Sequence, residues 1–220
     1  MILYLSTSRH SRMSYLLAPA SYAQARLCLD QQISLHNMVF VYQLNPGNTL
    51  SVQQLGRALQ LIVKKHLSLR TSLIFHEETN RLMQEIIHIN TDAVFPFIEN
   101  VFHTDEELKE FIYNEKHDSQ LFNLAQGLVF RCHLVHYKNI PTDGVLSDQD
   151  VIIFNFHHAL FDLPSMDLFL TDLNQAYTTG QLASNENNTL RYLDCNYQQF
   201  FLFIIQHFHV LFVRRCCDRT

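Results

Sequence analysis

Residues 154–165, FNFHHALFDLPS, bring together side chains that could carry out acid–base chemistry. His157 and His158 stand side by side at the end of an apolar run, and Asp162 follows them. An imidazole titrates near pH 6.5, so it can accept a proton from an amine or hydroxyl that attacks a thioester. An aspartate a few residues on could orient the loop by pairing with a buried arginine. These are the parts that a direct acyl transfer needs, without a covalent enzyme intermediate.

The same residues admit two other interpretations. Adjacent residues of a strand point to opposite faces, so His157 and His158 cannot both bind one metal ion if the strand runs through them. No other histidine or cysteine stands at the spacing of a zinc-protease motif from them, which disfavours a metal site. A structural pair of buried histidines beside an aspartate helix cap is the default for an arbitrary HHxxxD. The motif alone does not choose between the structural and the catalytic interpretation.

Composition narrows the classes of protein that this chain can belong to. It has 220 residues, 47 % of them hydrophobic and 17 % charged, which is typical of a folded domain with its own core. The net charge is -5 and neither GxGxxG nor GxxxxGK[ST] occurs, so nucleic acids and nucleotides are not expected ligands. Five cysteines without CxxC spacing and an N-terminus without a basic signal-peptide region predict reduced thiols and a cytoplasmic protein.

The pattern around the histidines predicts a mixed β-sheet with flanking helices, an α/β (α+β) fold. Apolar, β-branched or aromatic runs predict strands over residues 37–44, 128–137 and 150–158, and a hairpin over residues 70–89. Capping residues predict helices that begin near Ser21, Ser51, Thr104 and Pro164. The two histidines therefore lie where a strand ends and a helix is about to begin.

Residues 200–213 are strongly apolar but are broken by Gln206, His207 and His209. A membrane-spanning helix needs about 20 predominantly apolar residues, so no membrane span is expected. This segment is interpreted as a buried helix.

Four segments decide between the interpretations, because they resemble known motifs in a known order. SYAQARLCL resembles SxAQxRLW, with Cys28 where tryptophan is usual, and KKHLSLRTSL resembles RHExLRTxF through His66 and Arg70. FHHALFDLPS resembles HHxxxDG, and LRYLDCNYQQF resembles YxDYAxWQ through Tyr192 and Asp194. Together they resemble the condensation domains of nonribosomal peptide synthetases, which are relatives of chloramphenicol acetyltransferase.

This resemblance implies a domain organisation and roles for four side chains. Residues 15–200 would form the N-terminal lobe of a condensation domain with a chloramphenicol-acetyltransferase-like fold, and residues 201–220 a divergent apolar tail, with the second lobe missing. His158 would be the catalytic histidine, acting as a base or positioning the attacking amine, and His157 would support its loop. Asp162 and Arg70 would form a structural ion pair.

The resemblance also implies a reaction and partners. The domain would join an aminoacyl or peptidyl thioester, held on the phosphopantetheine of a carrier protein, to an acceptor amine. It would itself bind no cofactor and no metal. Its partners would be carrier protein domains and a chain that supplies the second lobe. The alternatives are a truncated non-catalytic remnant, a module that only binds carrier proteins, or an acyltransferase whose site forms between identical subunits.

The chain departs from the HHxxxDG motif at the glycine, which is Leu163 here and is followed by Pro164. Glycine tolerates positive φ and lets a substrate approach the backbone closely, and leucine does neither at low cost. The substitution therefore predicts a narrowed approach to the histidine.

Overall fold

A computed structural model describes residues 17–29, 36–88, 95–182 and 212–214 of the chain. The strands are β1 (Leu17–Pro19), β2 (Asn37–Leu44), β3 (Leu50–Ser51), β4 (Thr71–His76), β5 (Arg81–Ile86), β6 (Phe97–Phe102), β7 (Phe130–Tyr137), β8 (Val145–Leu146), β9 (Val151–His157) and β10 (Phe212–Arg214). The helices are α1 (Tyr22–Leu29), α2 (Val52–Lys65), α3 (Asp105–His117) and α4 (Ser165–Thr179).

The main sheet has five strands in the order β10-β2-β9-β7-β6. All its pairs are antiparallel except β6 with β7, which run parallel, so the prediction of a mixed sheet is confirmed. Strand β9 lies in the centre, paired with β2 on one side and β7 on the other, and all seven of its residues are buried. A strand covered on both faces reads as a continuous apolar run, which is what residues 151–154 show before the buried Asn155.

Helices cover both faces of this sheet, because alternate residues of each strand point to opposite sides. Phe154 and Phe156 of β9 belong to the core that α2 and α4 complete, and both rings pack against Phe169 of α4. Val151 and Ile153 point the other way, into a smaller core that contains Leu108 of α3. The sheet therefore lies between α2 and α4 on one face and α3 on the other.

A second sheet has the order β1-β5-β4 and contains the predicted hairpin, β4 with β5. The short pair β3 and β8 and the edge strand β6 were not predicted from the sequence. Strand β8 lies inside the connection between β7 and β9, which the sequence indicated only as a loop.

Three helix starts are confirmed by their caps. The Ser51 hydroxyl accepts a hydrogen bond from the Gln54 N–H, and the Thr104 hydroxyl accepts one from the Glu107 N–H. Ser21 and Gln24 form a reciprocal capping box, in which the Ser21 N–H donates to Gln24 Oε1 and the Gln24 N–H donates to Ser21 Oγ.

The prediction for residues 200–213 is wrong at its end. Residues 200–211 lie outside the described part of the chain, but Phe212–Arg214 form strand β10, hydrogen-bonded to β2. A predicted helix therefore cannot extend through residues 212 and 213. None of the described helices is long and apolar enough to cross a membrane.

Candidate active site

His158 is the first residue after the central strand β9. Its backbone N–H donates to the His36 carbonyl at 2.9 Å, and its side chain is exposed. Its Nδ1 lies 3.1 Å from the Phe161 carbonyl oxygen. A carbonyl can only accept, so this contact requires the proton on Nδ1 and leaves the Nε2 lone pair of the neutral imidazole available. Among the described residues nothing bonds to Nε2, so it can accept a proton from a group approaching from solvent.

His157 is buried and supports the turn that carries His158. Its Nδ1 accepts a hydrogen bond from the Ala159 N–H at 3.1 Å, which holds the first residues of the turn together. The rings of Phe122 and His36 pack against it edge-on. Burial, followed by the nearby charges of His36 and His158, lowers the pKa of His157 from 6.5 to about 4. His157 is therefore neutral at neutral pH.

The predicted ion pair between Arg70 and Asp162 is wrong. Asp162 is exposed, and its Oδ1 accepts hydrogen bonds from the N–H and the hydroxyl of Ser165, the first residue of α4. Arg70 points elsewhere: its Nη1 donates to the Ile87 carbonyl at 2.6 Å, and its buried Nε has no hydrogen-bond partner among the described residues. Burial lowers the pKa of the Arg70 guanidinium. Asp162 forms a turn with Ser165 just before α4, whose N-cap position is Pro164 without a side-chain cap hydrogen bond, so the expected aspartate N-cap is also wrong. Arg70 ties the end of the Leu67–Arg70 3₁₀ turn to residue 87.

A different aspartate links the second motif to the helix that follows the histidines. Asp172 of α4 is buried, and its carboxylate accepts from Lys65 Nζ at 2.8 Å and from His66 Nε2 at 2.5 Å. These contacts join the end of α2 to the middle of α4. Sequence reasoning missed Asp172, although an acidic residue on the otherwise apolar face that carries Phe169 and Leu173 is a signal that could have found it.

Leu163 does not have the backbone conformation that its place in the motif suggested. Outside glycine, the described residues with positive φ are Asn80 and Lys138, so Leu163 carries no left-handed strain. Its side chain is 58 % exposed. Leucine is thus accommodated by an ordinary turn, with its side chain directed to solvent.

The first motif is structural in its contacts. Gln24 is buried, and its Nε2 donates to Gln84 Oε1 on β5 at 3.3 Å, which ties α1 to the second sheet. Arg26 is exposed. Tyr192 and Asp194, the matched residues of the later segment, lie outside the described residues.

Behind β9, on the α3 side of the sheet, lies a buried polar cluster that the sequence analysis did not identify. Glu115 of α3 accepts from Arg131 and His133 of β7 at 3.0 and 2.9 Å, and from Asn155 Nδ2 of β9 at 2.8 Å. Burial acts to raise the pKa of Glu115, but the hydrogen bonds from His133 and Asn155 and the charge of Arg131 outweigh it and lower this pKa. The cluster shares a face of β9 with His157, two residues beyond Asn155.

No group of three histidine, cysteine or acidic side chains within the described ranges is arranged to hold a metal ion.

Comparison with known proteins decides what this arrangement belongs to. Residues 17–200 match the family model named Condensation domain. The chain belongs to the condensation-domain family. Its curated relatives include the hybrid PKS-NRPS synthetase apdA of Emericella nidulans, 28 % identical over 83 % of this chain, and surfactin synthase subunit 1 of Bacillus subtilis, 29 % identical over 60 % of it. The aligned regions make up 4 % and 3 % of those proteins, so the chain matches a small part of each.

Solved condensation-type structures share the fold of this chain. The condensation domain of the monacolin K polyketide synthase MokA superposes with a TM-score of 0.60 at 14 % identity, covering 82 % of this chain and 38 % of that one. The epimerization domain from the third module of tyrocidine synthetase B gives 0.62 at 16 % identity, covering 84 % and 41 %. The chain therefore spans less than half of the length of these structures.

Proposed function

We propose that this condensation domain takes part in amide bond formation, with His158 as the group that receives the proton of the attacking amine. The observation that carries the proposal is the contact between His158 Nδ1 and the Phe161 carbonyl, which leaves Nε2 as an exposed acceptor. A neutral imidazole accepts a proton through this lone pair and can release it again, which is the requirement for a general base.

The proposed substrates are an aminoacyl or peptidyl thioester, carried on the phosphopantetheine of a carrier protein, and an acceptor amine. The amine nitrogen attacks the thioester carbonyl carbon, its proton passes to His158 Nε2, and the C–S bond breaks. The same proton then neutralises the departing thiolate, so the histidine returns to its starting state. The relatives, which include a surfactin synthase and hybrid PKS-NRPS synthetases, support this class of reaction.

His157 and Asp162 have supporting roles in this proposal. His157 stays uncharged and braces the turn through the Ala159 N–H, while Asp162 fixes the start of α4 through Ser165. Arg70 supports the site only indirectly, through the backbone at residue 87. The remaining wall of the site would come from residues beyond the 17–200 match or from a second chain, and carrier protein domains would deliver the thioester.

The test is amide formation from a carrier-bound aminoacyl thioester, with the rest of a condensation domain supplied in trans. General-base assistance is typically worth about 100- to 10,000-fold, so His158→Ala should lower the rate by about that range. His103→Ala is the matched control, because His103 is also exposed and its backbone N–H, which the substitution keeps, donates to the Glu107 carboxylate. Equal rates in His158→Ala and the unaltered chain would refute the role of His158. Absence of product from the folded, unaltered chain would favour the non-catalytic remnant or the carrier-binding module.

A further inference from the structure

Helix α3 ends beside the start of strand β2, and the side chain of Asn37 connects the two. Asn37, the first residue of β2, donates from Nδ2 to the carbonyl oxygens of Glu115 and Asp118 at 3.0 and 2.9 Å. The last carbonyls of a helix have no partner within the helix, and a side-chain amide offers two N–H donors. Asn37 therefore caps the C-terminal turn of α3 from the neighbouring sheet.

The same residue belongs to the peptide unit that holds His158. The His158 N–H donates to the His36 carbonyl, and that carbonyl is part of the planar group that includes the Asn37 N and Cα. In the β2–β9 register Asn37 is also directly opposite His157. A shift of Asn37 would therefore move the acceptor of the His158 N–H with it.

The anchor on the other side of Asn37 is firm. The Glu115 carbonyl also accepts from Asn155 Nδ2 of β9 at 2.8 Å, and the Glu115 carboxylate is bound to Arg131 and His133 of β7. One turn of α3 is thus tied by side chains to three neighbouring strands, β2, β9 and β7. Residue 115 is buried, so the bonds to it are shielded from competing water, whereas the bond from Asn37 to the Asp118 carbonyl is exposed.

We propose that Asn37 is a positioning residue for His158, acting through the peptide that links residues 36 and 37. It touches neither a substrate nor the reacting atoms. Its amide fixes that peptide against the end of α3, and the peptide fixes the backbone from which the His158 imidazole reaches the Phe161 carbonyl. The importance of this position for turnover rests on the proposed function, but the geometry can be tested without any activity.

The experiment measures hydrogen exchange of backbone amides and the ring ¹⁵N signals of His158 by NMR on the whole chain. Asn37→Ala should speed exchange of the His158 amide by about 5- to 100-fold relative to the Ile153 amide in the middle of β9, the range that two lost neutral hydrogen bonds correspond to. The ring signals should move away from a pure Nδ1–H tautomer. Asn37→Gln, which keeps both donors, should give a smaller increase.

Asn100→Ala is the matched control, because the Asn100 amide bonds His133 in the same cluster but has no link to residue 36. It should leave exchange at His158 unchanged. Unchanged exchange at His158 in Asn37→Ala, or equal acceleration in Asn37→Ala and Asn100→Ala, would overturn the proposal. If Asn37→Ala does not fold, Asn37→Ser gives the same comparison. In the amide-formation assay Asn37→Ala should lower kcat and leave KM unchanged. An inactive unaltered chain would count against the proposed function and would not alter the exchange result.

Discussion

Removing the buried carboxylate of Asp172 should destabilise the domain far more than removing the exposed carboxylate of Asp162. Asp172→Ala leaves the Lys65 ammonium and the His66 ring without their common partner, and their side chains are only 15 % and 22 % exposed. Breaking a buried ion pair by deleting one partner costs about 3–5 kcal/mol. Since Lys65 can still reach some water, we expect the lower end of that range, about 3 kcal/mol.

Asp162→Ala is the same chemical change ten residues earlier in the chain. Its exposed carboxylate accepts two hydrogen bonds from Ser165 in the turn before α4, and losing exposed bonds of this kind should cost about 0.5–2 kcal/mol. The HHxxxD motif taken with an Arg70 partner would have predicted the reverse, a large loss at residue 162. Comparing the stability losses of the two variants therefore tests the observed contacts against the ion pair that the motif suggested.

The measurement is urea unfolding followed by circular dichroism. With an m value of about 2–3 kcal/mol/M, Asp172→Ala should lower the midpoint by about 1–1.5 M, and Asp162→Ala by less than about 1 M. Asp172→Asn keeps the shape and an acceptor and should lie between Asp172→Ala and the unaltered chain. Equal midpoint shifts for the two alanine variants, or a larger one for Asp162→Ala, would refute the roles assigned to the two aspartates.

Two further predictions concern pH and backbone conformation. The pKa of His157 in the folded chain is about 4, below its ordinary 6.5. Between these pH values the unfolded chain binds a proton more readily than the folded chain. The free energy of unfolding should therefore fall by up to about 3 kcal/mol as the pH drops from 6.5 to 4. Urea unfolding at several pH values measures this, and His157→Asn should remove that part of the pH dependence. An unchanged slope of unfolding free energy against pH in His157→Asn would contradict the prediction. Gly127 has φ +69 and an added Cβ would lie 2.8 Å from Ile87 Cγ1, whereas Gly144, with φ +66, has open space around it. Gly127→Ala should therefore cost about 1–3 kcal/mol more than Gly144→Ala, and equal losses would show that the crowding at Ile87 is relieved without cost.

Local sequence determined the elements around the site. The apolar run of residues 151–154 predicts the central strand, because such a run suits a strand buried on both faces. The caps at Ser51 and Thr104 start α2 and α3 where expected, because the capping hydroxyl and the N–H it accepts from are three residues apart in the chain. Gly180, with φ +67, ends α4 for an equally local reason. The four motifs also placed the chain in its family, which the match over residues 17–200 confirms.

Which side chains meet across the fold was decided only by the tertiary structure. The resemblance offered Arg70 as the partner of Asp162, but the turn before α4 directs Asp162 to Ser165. The buried contacts with the end of α2 are made by Asp172, which binds Lys65 and His66. Asn37 and Glu115, 78 residues apart, meet because β2 enters the sheet beside the end of α3. A hydrogen bond between neighbours in the chain is fixed by local backbone geometry. A bond between distant residues depends on strand order and register, which belong to the packed sheet as a whole.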